Sequence, residues 1–220
     1  MDQRLIAALT VLAETWEIEE FKKLVRQFVE NTPLDEYDTK YGKELMAFID
    51  DYPSVLSYME KGEQAVLYRS LVLNDLGPLI SLSKSTTLPK RSTLESWSMN
   101  SNLGQDWLPT RTDAPWAYSI EFAKKIPESE RIVCLPCEEL DTQPEEQEVI
   151  CYSQLLSKRE VKAIYVLVPP DMDKEAEVGD IEVTKATKLP SKGTDYLLSN
   201  AHTFKNYDDF VNLVVDILTP

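Results

Sequence analysis

Positive charge is scarce in this chain: 23 Lys and Arg stand against 38 Asp and Glu, a formal net charge of −15 over 220 residues. Sequence-independent affinity for nucleic acid comes mainly from cations that neutralise phosphates, so this balance argues against it and suits basic partners instead. The basic pairs Lys22-Lys23, Lys124-Lys125 and Lys158-Arg159 are too short to announce a patch. Long apolar runs are missing as well. None approaches the about 20 residues a bilayer span needs, and Met1-Asp2-Gln3-Arg4 does not read as a secretory signal. Cysteine is limited to Cys134, Cys137 and Cys151, an odd number that argues against a disulfide framework and for a reducing, cytoplasmic setting. Cys134-Leu-Pro-Cys137 has the spacing of a redox or zinc site. His202 is the single histidine and no second ligand pair accompanies the motif, so buried thiols at a strand end are the favoured reading and no metal is expected.

What is present is enough apolar material, 43% of residues, to bury one sizeable core. The first 62 residues read as a helical segment and residues 63–220 as the main body, together one compact α+β unit. Leu5, Ile6, Leu9, Leu12, Ala13 and Trp16 recur at helical spacing, as do Phe21, Leu24, Val25, Phe28 and Val29. Two helices with core-facing stripes are expected, the second stopped by Asn31-Thr32-Pro33. A third carries Leu45, Phe48 and Ile49 and ends before Tyr52-Pro53. Strands are expected over 65–73, 93–100, 131–135 and 162–168, the last being the clearest. Residues 82–90 read as a polar loop, 103–116 as a long loop or flap holding Trp107 and Trp116, 117–125 as a short helix, 138–145 as an acidic turn and 171–180 as a charged loop. From Tyr207 onward, Phe210, Val211, Val214, Ile217 and Leu218 mark one face of a docked helix.

Three short patterns carry candidate chemistry. Arg69 interrupts the apolar run 65–73, a costly position unless its charge is paired, it opens onto a polar cleft, or it snorkels from an edge strand. Ser96 and Ser98 flank Trp97, so on a strand both hydroxyls share one face and the indole takes the other. Glu146 and Glu148 flank Gln147 in the same way, and a pair of carboxylates suits the stabilisation of a cation. Glu-x-Glu occurs four times, at 17/19, 128/130, 146/148 and 175/177, and an acidic surface is the ordinary explanation of any one.

Arginine, Ser-x-Ser and Glu-x-Glu, in that order, resemble the R-S-E class of mono-ADP-ribosyltransferases over residues 64–168, and the chain is similar in size and acidity to the small phage-encoded arginine transferases of the Mod and Alt type. The resemblance implies an ADP-ribosyltransferase-like α+β fold of two packed β-sheets behind the N-terminal helical segment. It implies transfer of ADP-ribose from NAD, consumed as a substrate, to arginine on a host protein in a bacterial cytoplasm. Arg69 would then hold the NAD phosphates, Ser96 and Ser98 would support the site, and Glu148 would bind the nicotinamide ribose and stabilise the departing cation. Glu146 would orient and deprotonate the acceptor. A glutamate at that position goes with arginine acceptors in this family. Trp97 departs from the family's Ser-Thr-Ser, and residues 100–116 depart from its usual text, which leaves the nicotinamide-contacting loop unassigned. His202 follows every candidate glutamate, which excludes the competing histidine-dependent arrangement. NAD hydrolysis, a non-catalytic binding module with this fold, and an RNA acceptor stay open as alternatives.

Overall fold

The computed structural model describes residues 3–31, 40–85, 87–88, 90, 92–110, 117–135, 147–167 and 186–218. In chain order these form α1 (Gln3–Asn31), α2 (Lys40–Asp51), β1 (Val66–Leu73), α3 (Gly77–Lys84), β2 (Thr87–Leu88), β3 (Leu94–Ser98), α4 (Leu103–Thr110), β4 (Tyr118–Lys125), β5 (Arg131–Cys134), β6 (Glu148–Tyr152), β7 (Leu156–Ser157), β8 (Val161–Leu167), β9 (Ala186–Lys188), α5 (Ser191–Asn200) and α6 (Tyr207–Leu218). The chain is α+β. Its contacts divide into two compact units: 1–65 with 90–99 and 125–154, and 66–89 with 100–124 and 155–220. The expected boundary at 62/63 therefore falls near one border, but the helical segment shares its unit with β3, β5 and β6.

In the first unit, β6 lies between β5 and β3 and runs antiparallel to both. The helices cover one face of these strands. Phe21, Val25 and Phe28 of α1 and Leu45 and Ile49 of α2 are buried in one cluster with Leu94, Ile132 and Ile150, because spacings of three and four place each set on one side of its helix. Two stripes had suggested two helices, but no proline or glycine interrupts residues 3–31 and α1 is continuous. Packing of its first half does not follow the sequence expectation. Ile6, Leu9, Leu12 and Trp16 are 46%, 54%, 66% and 53% exposed. The reason is length: α2 has 12 residues, about 18 Å at the helical rise, and cannot cover the 29 residues of α1, about 43 Å. Trp16 is the last to gain partners, its ring 6.2 Å from Phe48 and 5.8 Å from Tyr52.

The second unit orders its strands β1-β4-β8-β9, with β4, β8 and β9 antiparallel, and carries the small antiparallel pair β2-β7. Residues 118–125 form a strand where a short helix was expected. Tyr118, Ile120 and Phe122 alternate with Ser119 and Glu121, a period of two, and both sets are buried. The expected long loop at 103–116 opens instead with α4, whose Leu108 packs among Ala117, Ala163, Tyr165, Leu167 and Ala186. The expected polar loop at 82–90 is shortened by α3, which has Pro in its first turn, and contains β2. The helix from Tyr207 docks as read, with Phe210 and Val214 buried. The expected acidic turn at 138–145 and charged loop at 171–180 lie outside the described residues. Among the described residues no helix is long and apolar enough to cross a membrane.

Candidate functional site

The β3–β6 register brings three of the expected site residues together. Ser98 stands directly opposite Glu148, and Ser96 opposite Ile150. In an antiparallel pair, opposed residues share a face, so Ser96, Ser98 and Glu148 project to one side and Trp97 to the other. Ser96 Oγ donates a hydrogen bond to Glu148 Oε1, the diagonal contact of this ladder. Glu148 and Ser96 are half-buried, whereas Ser98 and Trp97 are buried. Trp97 therefore fills the opposite face without disturbing the serines.

Both ends of Glu148's backbone are pinned. Its carbonyl accepts from Leu135 N at 2.8 Å, and the carbonyl of Gln147 accepts from Met99 N at 3.0 Å. Gln147 takes φ 44°, the left-handed region, so regular strand geometry begins at Glu148. Glu146 itself lies outside the described residues, as do Cys137 and Trp116. Toward the other end of the same face, Leu94 stands opposite Tyr152 beneath the helices. There burial, with a smaller push from the Asp50 carboxylate, raises the Tyr152 hydroxyl above its ordinary pKa. The carboxylate–hydroxyl group thus occupies the polar end of a face that turns apolar along the strands.

Arg69 belongs to the other unit, half-buried on β1 between Tyr68 and the buried Ser70. Tyr68 carries Lys162 over its ring at 4.5 Å, and Lys162 also pairs with the fully buried Glu121 at 3.1 Å. Glu121 Oε2 in turn accepts from the backbone N–H of Asn102 at 2.6 Å, while Asn102 Oδ1 accepts from the Tyr165 hydroxyl at 3.1 Å. Asn102 sits at φ 72° immediately before α4. The sequence reading missed this group, because Glu121 alternates with Tyr118, Ile120 and Phe122 and so reads as a solvent-facing position, whereas it is fully buried.

Arg131 is a second residue that the reading passed over. It is 5% exposed, and all five guanidinium N–H groups donate to backbone carbonyls: Ile126 from Nε at 3.1 Å and from Nη2 at 2.7 Å, Lys61 and Gly62 from Nη1 at 3.2 and 2.6 Å, and Gln64 from Nη2 at 2.8 Å. Lys61 reciprocates, its Nζ donating to the carbonyls of Arg131 at 2.9 Å and Ile132 at 2.6 Å. Burial lowers the Lys61 pKa, against the opposing pull of Glu128 and of Cys151. Gly62, at φ 71°, supplies the turn that lets successive carbonyls face one guanidinium. This clasp borders a cleft of about 770 Å³ that Glu60, Glu63, Lys125 and Glu128 also line. Its two inner cations are committed to the backbone, so the clasp holds the chain together and leaves little free charge for a ligand.

Cys134 and Cys151 are buried free thiols. Among the described residues, no three His, Cys, Asp or Glu side chains converge as a metal would require. Compared with protein-family models, curated proteins and solved structures, the chain matches none.

Proposed function

We propose that this chain is an NAD-dependent mono-ADP-ribosyltransferase with the two-sheet fold of that class, acting on arginine side chains of host proteins. The observation that supports the reading is the hydrogen bond from Ser96 to Glu148, with Ser98 directly across the ladder. A hydroxyl that holds one carboxylate oxygen fixes the direction of the other. An anion fixed in advance stabilises a cation at little reorganisation cost. Glu148 then binds the nicotinamide-ribose hydroxyl while the ribose C1′–nitrogen bond breaks. The bonding pair leaves with nicotinamide, and an oxocarbenium-like cation remains at C1′. An arginine guanidinium nitrogen attacks C1′, and Glu146 accepts the proton it releases. The resemblance to the R-S-E class assigns the NAD phosphates to Arg69, a role that a guanidinium fork suits chemically.

The test is incubation with NAD labelled on the adenylate and a bacterial lysate, with nicotinamide release measured in parallel. Label on protein that is cleaved by reagents specific for arginine-linked ADP-ribose is the expected result. Glu148→Gln should abolish nicotinamide release, and Glu146→Gln should lose transfer to arginine while sparing hydrolysis. Absence of both label and nicotinamide release refutes the enzyme reading, and release without label points to water as the acceptor.

A further inference from the structure

We infer that the first half of α1 is a self-association surface that pairs two copies of this chain. Ile6, Leu9, Ala13 and Trp16 follow a three-four-three spacing, the repeat by which one helix seats against another, and all four are exposed. Leu12 lies beside this seam and is 66% exposed. The large members of the group, Ile6, Leu9, Leu12 and Trp16, present on the order of 500 Å² per copy, against roughly 800 Å² per partner in a standard stable interface. That size suits a dimer that dissociates in the micromolar range.

Charge selects the occupant and its direction. Residues 5–13 contain no charged side chain in a chain that is 28% charged. A helix that lies on a membrane needs a basic polar face, and this one has none, within a body of net charge −15. A second copy meets no such mismatch along the uncharged seam. Parallel pairing would set Glu14 and Glu17 against their own copies. Antiparallel pairing about position 11 instead brings position 4, an arginine, level with position 18 of the other helix and next to Glu17. It also opposes the two helix dipoles favourably. In that register, position 9 of one copy faces position 13 of the other.

Sedimentation equilibrium of the full chain, from about one to several hundred micromolar, should show conversion to twice the chain mass. Leu9→Glu should leave a monomer with an unchanged circular dichroism spectrum, and so should Ala13→Lys. Mixing the two variants should restore a mixed dimer, because the antiparallel register pairs the new carboxylate with the new ammonium. A wild-type chain that stays monomeric throughout overturns the inference, as does a dimer that Leu9→Glu leaves intact. Co-sedimentation of wild-type monomer with lipid vesicles, zwitterionic or anionic, would assign this face to a membrane instead and equally overturns it. If each variant is monomeric alone and the mixture stays monomeric too, the proposed antiparallel register is wrong.

Discussion

Arg131→Met removes a guanidinium that joins residues 61, 62 and 64 to the start of β5 and to Ile126. Four carbonyl oxygens lose a charged donor at once, one of them losing two N–H groups. A hydrogen bond to a charged group contributes about 1.5–3 kcal/mol, and a buried acceptor left without a partner costs about 1–3 kcal/mol. Simple addition would exceed the whole stability of many domains. The adjoining cleft admits water to part of this backbone, and the Lys61 links to the carbonyls of residues 131 and 132 survive. The expected loss is therefore about 3–5 kcal/mol, the range for breaking a buried charged contact from one side. In urea this is a midpoint lower by roughly 1–2 M with little change in slope. Arg131→Lys keeps the charge but offers three donors on one nitrogen, and should lose about half as much. The assay is urea unfolding followed by far-ultraviolet circular dichroism, with tryptophan fluorescence as a second probe. If Arg131→Met shifts the midpoint by less than about 0.4 M, the clasp is not a stabilising element and the reasoning fails.

Two further outcomes follow from the β3–β6 face. Under the proposed reaction, Ser96→Ala removes the hydroxyl from Glu148 and should lower kcat/KM for nicotinamide release by about 10-fold to 30-fold, mostly in kcat, with under about 1 kcal/mol of stability lost. Wild-type kinetics from this variant would mean that the bond to Glu148 does not serve catalysis. For Tyr152 the folded pKa is raised above the ordinary 10.0. The stability it contributes is thus present below pH 10 and is lost as pH rises through the folded value. Wild type should therefore lose stability relative to Tyr152→Phe as pH rises above 10.0, and a difference that stays constant through that rise would contradict a partly buried phenol.

The sequence was most readable where one face of an element is buried and the other is not. The α6 stripe at Phe210 and Val214 and the α2 stripe at Leu45 and Ile49 appear as expected, because helical spacing and one-sided burial reinforce each other. Residues 118–122 were misread although Tyr118, Ile120 and Phe122 alternate correctly. Ser119 and Glu121 are buried too, and a polar residue inside a core is invisible to a rule that equates polar with exposed. The first half of α1 failed in the opposite sense, since periodicity reports that a helix has an apolar side but not that anything in the same chain reaches it.

The same distinction applies to the candidate site. Ser-x-Ser and the start of β6 were legible because their geometry depends only on strand alternation and on pairing register, and the register sets Ser98 against Glu148. The neighbouring position was not legible, because Gln147 leaves the extended region at φ 44°. Gln147 is a non-glycine residue held in that region, so strand alternation starts at Glu148, the first side chain here whose direction the ladder with β3 fixes.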